Sequence, residues 1–191
     1  MKLLLDILQG MGLAGAAGIR PFLPTLVAGA FASADLGVDY DGTAFSFLES
    51  PVFLLVVAIV MVLTFLLRGR LDTTAGAAAI SGIGIGLGAL LFAATLDDRN
   101  AVWWPGLIGG LVIAALAGAA ANDLFARTRG RLDTEAAAAL PIYAEAVAVV
   151  LAALAILLPP VSIVAVVFFI WLLLGGRRRE GEKYAGLRIL R

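Results

Sequence analysis

The sequence predicts an all-α membrane protein, a polytopic transmembrane helical bundle. Of its 191 residues, 62% are hydrophobic and only 15% are charged, and the mean hydropathy is +1.03. A water-soluble domain of this size needs a polar shell, which so few charged residues do not provide. The apolar residues also cluster into runs close to the ~20 residues that cross a bilayer as a helix.

The first apolar segment, residues 3–33, is too long for one straight helix. Pro21 and Pro24 remove backbone donors there, so we predict a break near Arg20. The other predicted helices are 51–67, 73–94, 105–126, 134–158 and 161–176. The sequence therefore predicts about six spans with a broken first helix, in a bundle over residues 1–176 that precedes a basic cytoplasmic tail at 177–191.

Six residues, RGRLDT, occur twice in the chain, at 68–73 and at 129–134. A glycine is typical of helix ends and an aspartate of helix starts, so each copy predicts a tight turn between two helices. Identity over all six residues indicates an internally duplicated helical hairpin, which relates residues 51–94 to about 112–155. The predicted turn residues are Arg68, Gly69, Arg70, Asp72, Arg129, Gly130, Arg131 and Asp133.

The distribution of positive charge predicts the orientation. Most of the 14 lysines and arginines fall at Lys2, in or beside the two turns, or in the tail. If the first segment crosses once, these positions share one side, which the positive-inside rule assigns to the cytoplasm. We therefore predict a multi-pass protein of the cell inner (plasma) membrane with both termini cytoplasmic. The alternative is a re-entrant hairpin over residues 3–33, which would place Lys2 opposite the turns.

Glycines at four-residue spacing predict close packing of two helices, 73–94 and 105–126. Small residues let helix backbones approach in lipid, where van der Waals contact drives association. Packing within one chain is the first interpretation, and a homo-oligomer interface or a narrow pore wall is the alternative. The glycines concerned are Gly82, Gly84, Gly86, Gly88, Gly106, Gly110 and Gly118.

Two charged residues, Arg20 and Glu145, lie well inside predicted spans. An unpaired charge at the bilayer centre costs at least ~2.5–3.5 kcal/mol on insertion scales, so we predict that they form an ion pair near the midplane. This pair either fixes the register of two helices or, with Pro21 and Tyr143, forms a substrate-binding or ion-binding site at a broken helix. A third interpretation is that Arg20 snorkels to the outer interface without a partner.

Residue types that the chain lacks exclude several classes of site. It has no cysteine and no histidine, which excludes disulfides and Fe–S clusters and argues against zinc. We predict no metal, no cofactor and no enzyme activity, with an intramembrane lipid enzyme using Glu145 and Tyr143 as the one enzymatic alternative. The tail carries too few arginines for nucleic-acid binding. The predicted partners are membrane lipids, with a homo-oligomer as a further alternative.

The function that these residues favour is a small transporter or channel for a small anionic or lipid-like solute, with Arg20 and Glu145 at its site. The alternative is a non-transporting membrane scaffold or assembly factor held together by its glycine-rich helices. A polar cavity that reaches Arg20 from one face of the bundle would favour transport.

The segment GAAGIRPFLP at residues 15–24, together with the two RGRLDT turns, resembles a family of small bacterial membrane proteins. That family is catalogued only as a domain of unknown function, DUF4126, and the likeness covers most of the chain. The resemblance implies a multi-pass inner-membrane protein. It brings no established activity, so no functional residue is carried over from it.

Overall fold

A computed structural model describes residues 2–67, 73–98, 101–129 and 133–185 of the chain. Every regular element in these ranges is a helix, which confirms the predicted all-α class. A short 3₁₀ helix covers Ser46–Glu49. The α-helices are α1 (Lys2–Ile19), α2 (Phe22–Ala32), α3 (Pro51–Leu66), α4 (Thr74–Asp97), α5 (Trp104–Arg129), α6 (Thr134–Leu157) and α7 (Val161–Ala185).

Four helical segments are long and apolar enough to cross a membrane: Lys2–Ile19, Thr74–Asp97, Trp104–Arg129 and Ala139–Leu157. The apolar helices α2 and α3 and the segment Val161–Gly175 are shorter. At 1.5 Å per residue, α2 reaches only ~16 Å, whereas the hydrocarbon core of a bilayer is ~30 Å thick. The described residues therefore form a membrane-type bundle, and the predicted count of six spans is not confirmed.

The predicted break in the first segment is present between α1 and α2. Pro21 has no N–H to donate to the carbonyl of Ala17, one helical turn earlier. That carbonyl faces α4 at Gly84, where an added Cβ would lie 2.8 Å from Ala17 O. On the α2 side of the break, the hydroxyl of Thr25 donates to Pro21 O at 2.7 Å. The α2 side of the break therefore has a hydrogen-bonded carbonyl, and the α1 side has a close contact with α4.

The break reverses the chain and does not merely bend it. The side-chain amide of Gln9, in the first half of α1, donates to Gly37 O at 2.8 Å, beyond the end of α2. The same amide approaches Ile156 O at 3.4 Å, near the end of α6. The segment after α2 therefore returns to the level of Gln9, and α1 and α2 form a re-entrant hairpin with its tip at Arg20 and Pro21. This reversal has the geometry of the re-entrant alternative and not that of a single straight helix, and the number of crossings that the segment makes stays a prediction.

The hairpin places the start of α1 and the end of α7 at opposite ends of the bundle. Gly12 packs against Ala155 and Ser162, and Gly15 packs against Phe169. The start of α1 therefore lies beside the start of α7, and these two helices run parallel. The prediction that both termini share one side of the membrane rested on one crossing by the first segment, and it is not confirmed.

We name the two ends of the bundle by their connections. The acidic-loop end carries residues 33–50 and the connection from α4 to α5, which meet where the amide of Ala44 donates to Asp97 Oδ2 at 2.8 Å. The arginine-turn end carries the ends of α3 and α5 and the starts of α4 and α6, which flank the two RGRLDT copies.

Helix α1 lies at the centre of the bundle and packs against α4, α5, α6 and α7. Its contact face is made of small residues, and the backbones of Gly18 and Ala114 touch where α1 meets α5. Because α1 stops at Ile19, none of the described helices fills the space between α4, α5 and α6 at the arginine-turn end. This truncated central helix is the feature of the fold that creates the site described below.

The glycines of α4 divide into two groups. Gly84 and Gly88 face α1, and an added Cβ at Gly88 would lie 3.0 Å from Ala14 O. Gly82 and Gly86 have nothing within 4 Å of an added Cβ, so this predicted pair makes no helix contact within the described chain. In α5, the three predicted glycines each approach backbone atoms of a neighbouring helix: Gly106 at Phe92 and Ala93, Gly110 at Gly88 and Ala89, and Gly118 at Gly18.

The two RGRLDT copies differ in the residue that begins the next helix. Asp133 caps α6 by accepting from Ala136 N at 2.8 Å. In the first copy the cap of α4 is Thr73, which accepts from Gly76 N at 3.1 Å. The remaining predicted turn residues, Arg68, Gly69, Arg70, Asp72, Gly130 and Arg131, lie outside the described residues. The internal duplication stays a prediction. Helix α3, the first helix of the proposed hairpin at 51–94, packs mainly against α2.

Candidate functional site

The hairpin tip brings Arg20 to Glu145, two residues that the sequence analysis singled out. Arg20 Nε lies 3.7 Å from Glu145 Oε1, and the side chains are 29% and 36% exposed. The guanidinium also lies over Phe125 of α5, with its Cζ 5.9 Å from the ring centroid, which is within cation–π range. Arg20 is therefore held between α5 and α6 and remains partly accessible.

A polar cavity of about 510 Å³ extends from this tip between α4, α5 and α6. It occupies the space that α1 leaves at the arginine-turn end. Arg129 belongs to its lining and is exposed, as are Asn122 and Ala126, so the cavity opens towards that end. The polar and charged residues of the lining are Arg20, Thr64, Ser81, Asn122 and Arg129.

An apolar cavity of about 410 Å³ meets the polar cavity at the same tip. It lies between α2, α3 and α6 and reaches both Arg20 and Glu145. Phe65 and Ile142 in its wall are 72% and 70% exposed, so this cavity opens sideways, at the perimeter of the bundle. Its apolar lining also includes Phe22, Leu23, Met61, Val62 and Ile80.

The charges in the polar cavity favour an anion. Its described lining contains two arginines and no acidic residue. A guanidinium presents several N–H donors in a planar fork that matches carboxylate and phosphate oxygens. Ser81 and Asn122 add neutral hydrogen-bonding groups. Among the described lining residues of the two cavities, Glu145 is the one acid; it lines the apolar cavity and faces Arg20.

Tyr143 is not part of this site. It is 69% exposed and lines neither cavity, although it precedes Glu145 by only two residues on α6. Side chains two positions apart are separated by roughly 200° around a helix, so Tyr143 and Glu145 point to different faces of α6. The structure therefore does not bring together the Glu145–Tyr143 pair of the enzymatic alternative.

The lining residues that sequence reasoning missed include Thr64, Ser81, Asn122 and Phe125. Three of them are polar residues within apolar runs, a signal that was available. Asn122, Phe125 and Arg129 also follow the three- and four-residue spacing of one helix face. The missing information was that a truncated helix would leave that face of α5 uncovered.

A second ion pair lies on α5, outside both cavities. Arg127 Nη2 pairs with Asp123 Oδ2 four residues earlier, with side chains 36% and 42% exposed. Neither residue lines a cavity. This pair provides a matched control for substitutions at Arg20 and Glu145.

The acidic-loop end holds a buried tyrosine among carboxylates. Tyr40 is fully buried, and its amide donates to Glu49 Oε2 at 3.2 Å. Burial raises the pKa of the Tyr40 hydroxyl well above its usual range, and the charges of Glu49 and Asp98 act in the same direction. Burial also raises the pKa of Glu49, with the neighbouring carboxylates of Asp41 and Asp39 adding to this shift.

We expect Tyr40→Phe to stabilise the fold by about 1 kcal/mol, because the buried hydroxyl has no hydrogen-bond partner among the described residues and such a group costs ~1–3 kcal/mol. Thermal unfolding in detergent measures the change. The control is Tyr143→Phe, which removes an exposed hydroxyl and should change stability by less than ~0.5 kcal/mol. A loss of stability in Tyr40→Phe would show that the hydroxyl is bonded.

One family matches nearly the whole chain. The family described as a domain of unknown function (DUF4126) matches residues 7–179, which include most of the hairpin, Arg20, Glu145 and the lining of both cavities. No curated protein matches the chain, and no solved structure matches it.

Proposed function

This chain belongs to the family described as a domain of unknown function (DUF4126), and on that premise we propose that it is a small membrane transporter or channel for an anionic or lipid-like solute. One observation carries the proposal. The polar cavity reaches the hairpin tip from the arginine-turn end and places Arg20 at its inner limit. Broken helices in transporters similarly expose polar groups to a cavity near the membrane midplane.

The charge distribution supports an orientation for this transporter. The helix ends that flank the two RGRLDT copies, and the described part of the basic segment after Gly176, lie at the arginine-turn end. The positive-inside rule assigns such an end to the cytoplasm, here the cytoplasmic face of an inner membrane. In this orientation the C-terminus is cytoplasmic, while the N-terminus and residues 33–50 lie on the opposite side. The polar cavity then opens to the cytoplasm.

The hairpin acts as the barrier in this proposal. On its acidic-loop side the bundle is closed by a packed core that includes the fully buried Leu13, Ala16 and Leu91. An anionic group that enters the polar cavity would meet Arg20 and compete with Glu145 for it. Transfer across the membrane then requires the hairpin tip to move relative to α6, which breaks the pair and opens the other side.

A flux measurement tests the proposal. Purified protein in sealed liposomes would be assayed for flux of inorganic phosphate, protons and a lipid-linked phosphate. We expect flux from the natural chain and a loss of at least about tenfold in the Arg20→Ala, Glu145→Ala double variant, since removing one charge-assisted contact costs ~1.5–3 kcal/mol. The control is the Asp123→Ala, Arg127→Ala double variant, which removes an ion pair outside the cavities and should keep its flux.

The alternative is a non-transporting scaffold or assembly factor, and the glycine contacts around α1 favour it as the second candidate. A scaffold needs the helix packing and not the charges. It predicts that Arg20→Met combined with Glu145→Leu keeps both fold and cellular role, and that Gly84→Leu destroys both. Equal flux from the natural chain and the Arg20, Glu145 double variant would favour this scaffold over the transporter.

A further inference from the structure

We propose that the solute is a phosphate-bearing lipid, whose headgroup lies in the polar cavity while its hydrocarbon chains lie in the apolar cavity. This inference rests on the proposed function and names its substrate class. Its basis is that the two cavities adjoin each other at the hairpin tip. Five lining residues are common to both: Arg20, Pro21, Thr64, Ile80 and Pro141. A molecule bound at this tip has a cationic, hydrogen-bonding space on one side and an apolar space on the other.

The polar cavity has the chemistry of a phosphate site. Arg20 lies over Phe125, and Arg129 follows on the same face of α5, about 6 Å further along the helix axis. Two guanidinium groups, in a lining whose described residues include no acid, provide donors for several phosphate oxygens. Ser81 and Asn122 add neutral hydrogen-bonding groups to the same lining. Because this described lining has no acid to pair with an attached cation, the site suits an exposed phosphate better than a masked one.

The apolar cavity has the chemistry and the opening that a hydrocarbon chain needs. Its wall is formed by Phe22, Leu23, Met61, Val62 and Phe65 together with α6. Helix α3 packs mainly against α2 and the short 3₁₀ helix, so its flank leaves this space open. The exposed Phe65 and Ile142 place the opening where the bundle would face lipid. Volumes of about 410 and 510 Å³ each lie within the size range of ligand pockets.

The position of Glu145 predicts that substituting this acid and substituting the arginines will change phosphate binding in opposite directions. Its carboxylate faces Arg20 from the apolar side, so a phosphate that binds Arg20 must displace or share this partner. Neutralising the acid should therefore strengthen phosphate binding, whereas neutralising either arginine should weaken it. A merely structural Arg20–Glu145 pair would give no such opposite effects.

Native mass spectrometry of the full chain in detergent tests the inference. The probes are dioleoyl phosphatidic acid, dioleoyl phosphatidylcholine, which has the same chains but a masked phosphate, and inorganic phosphate. We expect phosphatidic acid to bind at least about tenfold more tightly than either other probe. Arg20→Gln and Arg129→Gln should each weaken its binding about tenfold, and Glu145→Gln should strengthen it. The control Arg127→Gln, outside the cavities, should leave binding unchanged.

Ile142→Trp tests the hydrocarbon chain, because it narrows the apolar cavity from an exposed position. It should weaken the binding of phosphatidic acid and leave the binding of inorganic phosphate unchanged.

Three results would each overturn the inference: equal binding of the two lipids, an equal loss of binding in Arg127→Gln and Arg129→Gln, or binding of inorganic phosphate as tight as that of phosphatidic acid. If Arg20→Gln does not fold, Arg129→Gln at the cavity mouth carries the test. Lipid binding without flux would refute transport alone, and flux of small anions without lipid preference would refute this inference alone.

Discussion

Gly84→Leu is expected to prevent folding of the bundle, whereas Gly82→Leu, on the same helix, is expected to be tolerated. An added Cβ at Gly84 would lie 2.8 Å from the carbonyl oxygen of Ala17, a backbone atom that cannot rotate away. The leucine would push α4 away from the central helix. Overpacking usually costs ~1–3 kcal/mol and sometimes more, and a clash with the backbone of Ala17, which cannot adjust as a flexible side chain would, places Gly84 at the upper end. Around Gly82 there is open space.

Thermal unfolding in detergent and the yield of monodisperse protein measure this difference. Gly110→Leu provides a second strained site, because its added Cβ would lie 2.6 Å from Ala89 Cα, and Gly86→Leu provides a second open one. Similar melting temperatures for Gly84→Leu and Gly82→Leu would contradict the packing of α4 against α1. A loss of folding in Gly82→Leu alone would indicate that this exposed face contacts another copy of the chain.

Removing one member of the Arg20–Glu145 pair is expected to destabilise the protein by about 3 kcal/mol. Arg20→Leu leaves the Glu145 carboxylate facing an apolar cavity without its arginine, and Glu145→Leu leaves the guanidinium without its carboxylate. The double Arg20→Leu, Glu145→Leu variant should be more stable than either single variant, because no charge is then left without its opposite.

A double-mutant cycle on unfolding free energies measures this coupling. The same cycle on Asp123 and Arg127 is the control, and its coupling should be below ~1 kcal/mol, since an exposed pair within one helix contributes little. If the losses at Arg20 and Glu145 simply add, the two side chains do not interact, and the site would consist of the cavities alone.

Much of the helical architecture was predictable from local sequence. The break at Arg20 and Pro21 follows from proline chemistry, and the start of α6 at Asp133 follows from N-capping. The direction of the chain after the break was not predictable. Both α1 and α2 are apolar, and Lys2 is too small a charge signal to place the N-terminus. The reversal depends on long-range contacts, such as that of Gln9 with Gly37 and Ile156.

The site was predictable only in part for a related reason. The sequence marks Arg20 and Glu145 as charges inside apolar runs, and the structure brings them to 3.7 Å. The sequence alone does not show which glycine stripe of α4 faces α1, because residues 82–88 offer two stripes of equal spacing. The rotation of α4 decides between them and selects Gly84 and Gly88. The cavities depend on where the central helix stops, which is a property of the whole bundle.

The re-entrant hairpin is the central claim, and cysteine labelling tests it most directly. The chain contains no cysteine, so Lys2→Cys, Asp41→Cys and Lys183→Cys each introduce one unique thiol. In sealed vesicles of one orientation, a membrane-impermeant maleimide should label positions 2 and 41 from the same side and position 183 from the other. Labelling of positions 2 and 183 from one side, with position 41 on the opposite side, would contradict the hairpin and the cavity that it creates.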